Sequence, residues 1–371
     1  MDLGFIIQIL TEPAQLFCFF LIVSLSVNLE FGYSGIPNFG KVLFIASGGY
    51  VSGALAYRLM FYVMNFKGDI FSYQALDIGQ IDAHLAQYPL EALGLIVFMF
   101  VVAAGVGAIF GYLASFPAIR LREDYLGMFL LAAGEFFNIF SVAYTPFLGG
   151  SFGSFAPNPI GDLGTDLGDP GLFVLGVMAL FAFLIYIYSE RVARAPLGRT
   201  LRAVRDNEIA SEAVGKDNIS LRRKTLLVGS ALAGIAGVLY LAVIPVMTPG
   251  VTSEATFNRV TDTFIPFAIV ILGGVANNRG VLFGTFVYLL IYNAFAQVTV
   301  FLSPSVSGAL DMFGLNNIEY MLIGVVVILI LLRRPQGLIP EKSSMTMAKS
   351  KLKGIADAVK GVKPEKKTES S

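Results

Sequence analysis

Tryptophan is absent, cysteine and histidine occur once each, and charged side chains make up only 14% of the 371 residues. Each scarcity excludes something. The single thiol, Cys18, can form neither an internal disulfide nor a cysteine metal site. The single imidazole, His84, lies in a polar stretch, where a solvated ring is the ordinary outcome, and leaves no histidine-based nucleophile set. No Gly-rich loop ends in the Lys-Ser/Thr pair that cradles nucleotide phosphates. An Arg-rich voltage-sensing helix and a filter-like repeat are missing too. An enzyme is therefore disfavoured and no metal or cofactor is expected. Any energy for work must come from an ion gradient or another subunit. The first residues lack a basic segment and a small-residue cleavage site, so the first apolar run is expected to act as its own insertion signal.

What is abundant is apolar surface. The chain is 56% hydrophobic with a mean hydropathy of +0.72, and soluble domains average about 25% charged residues. Lipid must be the solvent for this much apolar area. Runs of the ~20 residues needed to cross a bilayer occur near 6–27, 41–63, 91–115, 125–144, 171–189, 226–247, 263–276, 281–302 and 319–333. The expected fold is all-α and polytopic, with about nine transmembrane helices within a range of 8–10. Lys+Arg and Asp+Glu both total 26, but they are unevenly placed. Arg191, Arg194, Arg199, Arg202, Arg205, Lys216, Arg222, Arg223 and Lys224 follow the fifth span, and Arg120 and Arg122 follow the third. Lys41 and Arg279 mark two further connections, and Arg333-Arg334 open the tail. Loops 145–170 and 303–319 contain no Lys or Arg. Alternation of basic and acidic loops predicts a cytoplasmic C-terminus and an external N-terminus. Residues 1–340 then form the membrane domain. Residues 341–371 form a basic tail, expected to be disordered, which either helps fix topology or attracts anionic lipid.

Glycine is frequent. Gly48, Gly49 and Gly53, then Gly105, Gly107 and Gly111, then Gly229, Gly234 and Gly237 fall inside spans, where small residues let helices approach closely. Two Gly-rich stretches interrupt the pattern: GYSGIPNFG before the second span and GGVANNRGVLFG before the eighth. They predict broken or re-entrant segments near 28–40 and 273–280. Paired breaks in the two halves point to transporter architecture, because exposed backbone must there line a cavity or pack on protein. Asn38, Gly40, Gly273 and Gly274 in these breaks are candidates for a translocation pathway. So are Glu135 and Asn138, three residues apart inside the fourth span. Glu135 either lines the pathway or locks two helices together, since an unsatisfied carboxylate at that depth is costly. Glu30, near a boundary, is expected to be solvated. Pro13 is expected in the first turn of its helix.

The loop after the fifth span contains PLGRTLRAVRDNEIASEAVGKDNISLRRKTLL. Gly198–Val214 has an apolar stripe of Leu201, Val204, Ile209 and Ala213. Asp206-Asn207 can cap a second short helix from Glu208, which Gly215 ends. Such a helix suits either a groove on a cytoplasmic partner or an idle amphipathic linker.

The segment LGRTLRAVRDNEIASEAVGKD closely resembles the cytoplasmic loop of the permease subunits of bacterial and archaeal ABC importers for branched-chain amino acids. IRLREDYLGMFLLAAGE, ALAGIAGVLY, VILGGVANNRGVLFGTFV and RRPQGLI are similar to further motifs of that family in the same order. Two departures fall in the breaks: Lys41 stands where the family commonly has His, and Ala276-Asn277-Asn278 replace a Gly-Ser step. A related small amino acid, amide or urea-like solute therefore stays open. The resemblance implies a permease in a prokaryotic plasma membrane, driven by two cytoplasmic ATPases and working with a second permease and an extracytoplasmic binding protein, the latter received by loops 64–90 and 145–170. It assigns ATPase coupling to Arg205, Asp206, Asn207, Glu208, Glu212, Ala213 and Gly215. The other class left by the residues themselves is a gradient-driven transporter or channel working alone through Glu135.

Overall fold

The computed structural model describes residues 3–67, 70, 74–165, 168–250, 255–294, 324–325, 328–329 and 332–341, with backbone alone for 3–9, 75 and 123. All of them but Glu341 belong to one compact unit, Met1–Pro340. The tail 342–371 lies outside the described residues. The helices are α1 (Leu3–Val27), α2 (Lys41–Val63), α3 (Gln74–Gln87), α4 (Pro89–Arg120), α5 (Glu123–Ala143), α6 (Thr145–Leu148), α7 (Pro159–Thr165), α8 (Pro170–Arg194), α9 (Pro196–Asp206), α10 (Glu208–Ala213), α11 (Asn218–Val243) and α12 (Ile265–Gly273). A further helix, α13, begins at Asn278 and is described to Ala294. Two π-turns, Asn28–Tyr33 and Val260–Phe264, extend α1 and lead into α12. A two-residue ribbon pairs β1 (Ser154–Phe155) with β2 (Val246–Met247).

Among the described residues six helices are long and apolar enough to cross a membrane: α1 with its π-turn, α2, α4, α5, α8 and α11. The expected seventh and eighth spans form a pair bent by 117°, so the number becomes seven if that pair is one span. The reason is length. Val260–Gly273 rises only about 21 Å at 1.5 Å per residue, short of the ~30 Å hydrocarbon core. Most of the ninth expected span lies outside the described residues. Pro13 sits inside α1 rather than in its first turn, because the helix begins at Leu3.

Local chemistry explains several ends. Asp169 accepts from the N–H groups of Gly171 and Leu172 and Pro170 opens α8, a paired start signal. Asp217 caps α11 by accepting from Ser220. Outside the spans, the loop read as polar between 64 and 90 contains α3, whose Ile81 and Leu85 bury against Tyr57, Met60 and Phe61 of α2 and Leu95 of α4.

The centre is α11, packed on α4 and α2. The contact is made by missing side chains. A Cβ at Gly107 would strike the Ser230 carbonyl, and one at Gly48 would strike the backbone of Gly234. Gly105, one of the same sequence cluster, has nothing within 4 Å of its Cβ position and contributes no close approach.

α3 packs on α7, and the carboxyls of Asp82 and Asp162 influence each other there. Burial, then the charge of Asp82, pushes the Asp162 carboxyl up to about 8.

Two expectations follow. Gly107→Leu should destabilise the fold by about 1–3 kcal/mol, an overpacking cost, whereas Gly105→Leu should leave the unfolding midpoint in detergent nearly unchanged. Because folding raises the Asp162 pKa, its contribution is fully present below the ordinary carboxylate range and is lost as pH rises through about 8. Thermal unfolding between pH 4 and 8 should therefore fall more steeply in the wild type than in Asp162→Asn.

Candidate functional site

The first Gly-rich break is organised around a buried ion pair. Asn28–Tyr33 widens into a π-turn, a form frequent at functional sites. It directs Glu30 inward. Lys41, the first residue of α2, places its Nζ 2.7 Å from Glu30 Oε1, and both side chains are fully buried. Asn38 donates its Nδ2 to Glu30 Oε2 at 2.8 Å, and its Oδ1 accepts from Gly40 N. The expectation that Glu30 is solvated fails, as does the reading of Lys41 as a loop charge. The chain turns back at Gly35 (φ +74°), and Ile36 N bonds the Glu30 carbonyl. Hence the break lies against protein instead of water. The space for Glu30 exists because Gly229 of α11 has no Cβ; one there would overlap Glu30 Oε1.

The second break meets the first directly. Asn28 Oδ1 accepts from the Ala276 backbone N–H, and its Nδ2 donates to Asn278 Oδ1, both at 2.9 Å. Asn278 in turn donates to Glu190 near the end of α8. Gly274 (φ +121°) and Gly273 are covered by the closing RRPQGLI stretch: Leu338 and Ile339 donate to the carbonyls of Leu272 and Gly273. Asn277 Nδ2 donates to the carbonyls of Ile339 and Pro340. The faint sequence echo is thus a physical interface between the two breaks.

The charged loop reaches the same place. Arg205, at the end of α9, donates from Nη1 to the Gly32 carbonyl in the π-turn at 2.6 Å and pairs through Nε with Asp206. The Arg202 guanidinium lies 5.2 Å from the Tyr33 ring centre. A small apolar cluster joins Leu201 of α9, Ala193 of α8, Leu29 and Tyr33 of the first break and Ala276 of the second. One hydrophobic patch therefore touches all four segments. The chain then breaks at Asn207, whose backbone is extended (φ −159°, ψ 101°) and whose Oδ1 accepts from Ala210 N. This turn ends the expected continuous stripe. Leu201 and Val204 are buried, but Ile209 is 82% exposed and Ala213 is exposed as well. α10 is anchored on its inner side by the Glu208–Arg222 ion pair at 3.1 Å and by Asn218 donating to the Glu208 carbonyl. Glu212, Ala213, Val214 and Gly215 (φ +78°) face outward.

Residues 9–331 match the model of the family described as branched-chain amino acid transport system, permease component. The chain belongs to that family. It is 36% identical over 331 residues to a probable branched-chain amino acid transport permease protein LivM of Methanocaldococcus jannaschii, covering 89% of this chain and 93% of the relative. It is 29% identical to the high-affinity branched-chain amino acid transport system permease proteins LivM of Salmonella typhimurium and Escherichia coli, over 68% and 69% of this chain but only 58% and 59% of theirs. No solved structure matches it. With its set of long apolar helices, this permease is a multi-pass membrane protein.

The candidate pathway residues of the permease separate into two places. Asn38, Gly40, Gly273 and Gly274 belong to the paired breaks. Glu135 and Asn138 do not. Glu135 Oε1 lies 2.9 Å from Arg259 Nη1, and Asn138, almost fully buried, donates to the Phe257 carbonyl. Both side chains tie α5 to the segment leading into α12. A second π-turn follows there, with Asp262 buried and accepting from Asn258 N at 2.7 Å. Residue-by-residue reading missed Asn28, Lys41, Glu30, Arg259 and Asp262. The available signal was the spacing of opposite charges around the first break, Glu30 and Lys41, which lay unused because both were placed at the membrane boundary.

Lys41→Met should cost about 3–5 kcal/mol by leaving Glu30 buried without its counter-charge. Adding Glu30→Gln should recover part of that loss. Denaturant unfolding of the purified variants measures both.

Proposed function

We propose that this permease is one membrane subunit of an ATP-binding-cassette importer for branched-chain or related small amino acids in a prokaryotic plasma membrane. Its partners in this reading are a second homologous permease, two cytoplasmic ATPases and an extracytoplasmic binding protein. The N-terminus is outside and the basic loops and C-terminus are cytoplasmic. The relatives' printed names support the substrate class, and the alternation of loop charge supports the orientation.

The observation that carries the reading is the arrangement of the α9–α10 loop. α10 offers an exposed outer face of Ile209, Glu212, Ala213 and Val214 (Ile209 82% and Val214 74% exposed), while its inner face is tied down. A short helix exposing two large apolar side chains into water is stabilised by docking on a partner. Immediately behind it, Arg205 holds the Gly32 carbonyl of the broken segment. Arg205, Asp206 and Asn207 form the joint, and Glu208, Glu212, Ala213 and Gly215 form the docking element. Movement of a docked ATPase would be delivered through Arg205 and the Leu29–Tyr33–Leu201–Ala276 patch to both breaks together.

The ATPases must bind one permease conformation better than the other for this to work. Transmission needs a rigid path from the docking face to the breaks, and close-packed side chains supply one. Asn38, Gly40, Gly273 and Gly274 then sit at the moving layer near the cytoplasmic end of a pathway, while Glu135 and Asn138 hold α5 in place. The pairing of Glu135 with Arg259 disfavours the reading as a stand-alone gradient-driven transporter, in which Glu135 would have to gain and lose a proton or ion freely.

Reconstitution with its partner subunits should give substrate-stimulated ATP hydrolysis. Glu212→Arg with Gly215→Arg should abolish that stimulation while membrane insertion stays intact. Arg205→Ala should leave ATPase docking in place but reduce transport per ATP, because the joint and not the docking face is cut. Uptake by the chain alone, collapsed by an ionophore, would establish the gradient-driven reading instead.

A further inference from the structure

A groove of about 430 Å³ opens between α4 and α5, with Leu43 of α2 at its floor. Every side chain lining it is apolar, and aromatics dominate: Phe110, Leu113 and Pro117 from α4, and Phe129, Phe136 and Phe140 from α5. Phe136 is 70% exposed, Leu113 53% and Phe129 49%. Both helices are membrane-spanning in length and composition, so the groove opens toward hydrocarbon. An apolar face toward lipid is unremarkable by itself. The end beside the α4–α5 connection is not.

The α4–α5 connection is Arg120-Leu121-Arg122, and both arginines are exposed. Arg120 follows Pro117 by three residues, so it continues the groove-lining row of α4 by one turn. Arg122 is the N-cap residue of α5, seven positions before Phe129, and so stands at the end of the helix from which the groove row of α5 begins. Asp124 lies well away from that row by helical spacing. Neither guanidinium is engaged by a carboxylate among the described residues. From Arg122 the groove side chains of α5 extend from about 10 Å (Phe129) to about 27 Å (Phe140) along the axis at 1.5 Å per residue. The nearer part of this row, to Phe136 at about 21 Å, matches one lipid acyl chain hanging from a headgroup at the arginines within one leaflet of a ~30 Å core and its interface, while Phe140 lies past the bilayer midplane.

We propose that this groove is a specific site for one anionic membrane lipid, with its phosphate between Arg120 and Arg122 and one acyl chain along the phenylalanine groove. The charge at one end and the apolar, chain-length trough at the other distinguish such a site from ordinary boundary lipid. Two basic residues flanking the α4–α5 turn favour anionic headgroups, and guanidinium presents the planar donor pair that phosphate accepts. The site does not depend on the transport reading, only on the chain being in a bilayer.

The absence of tryptophan makes the test direct. Phe129→Trp places one fluorophore in the groove of the full-length chain, reconstituted in phosphatidylcholine vesicles. Brominated phosphatidylglycerol should quench it more than brominated phosphatidylcholine at equal mole fraction, with a relative affinity of about fivefold per arginine. Arg120→Gln with Arg122→Gln should bring the two lipids level, and Arg120→Lys with Arg122→Lys should keep most of the preference, which separates charge from a folding defect. Equal quenching by both lipids would overturn the proposal in favour of ordinary boundary lipid. Quenching by neither would overturn it in favour of a second copy of the chain covering the groove. A preference that survives the Gln pair would overturn it as well.

Discussion

Glu30 and Lys41 face each other at 2.7 Å with no exposed surface on either side chain. Burying two charges is costly unless each finds its partner and the remaining lone pairs are met. Here Asn38 supplies the extra donor, the π-turn supplies the angle and Gly229 supplies the space. The pair therefore fixes the end of α1, the start of α2 and their position on α11 at once. Every other feature of the broken layer is built outward from it: Asn28 two residues before Glu30 binds the second break, and Gly32 two residues after it receives Arg205.

This arrangement solves the problem that a broken helix poses in lipid. Freed backbone groups must be met by protein or water. In the first break, Gly35 and Ile36 donate back to Phe31 and Glu30, and the Gly32 carbonyl takes a guanidinium. In the second, the carbonyls of Leu272 and Gly273 accept from Leu338 and Ile339. A layer satisfied by side chains and by other segments can exchange those partners more readily than a continuous helix can exchange its own ladder. Around that layer the seam of glycines between α11, α4 and α2 forms a close-packed frame.

Much of this was open to sequence reading. Apolar run length located α2 at 41–63 and placed α4, α5 and α8 within about five residues at each end, while α11 begins eight residues before the expected span because its first turns carry Arg222, Arg223 and Lys224. Asn207 and Gly215 announced the ends of α10 through ordinary cap chemistry, which depends on neighbouring residues alone. The Gly-rich breaks were legible for the same reason. The site was only partly so. Span prediction assumes that charge marks water, which puts Glu30 and Lys41 at a boundary although both are fully buried. Ile209 shares the apolar stripe of Leu201 and Val204 in sequence, but stripe spacing does not say which face a second helix turns outward after the break at Asn207.

By itself the sequence determined that the chain lives in a bilayer as helices, where those helices break, and which loop is charged. These follow from composition and from interactions within a few residues. Only the tertiary structure decided which polar groups are partners. Glu135 belongs to Arg259 and not to the breaks, Asn28 belongs to Asn278 across 250 residues, and the closing RRPQGLI stretch belongs to Gly273 and Gly274. Such pairings depend on how helices cross, and crossing is set by glycine contacts between segments that no local pattern connects.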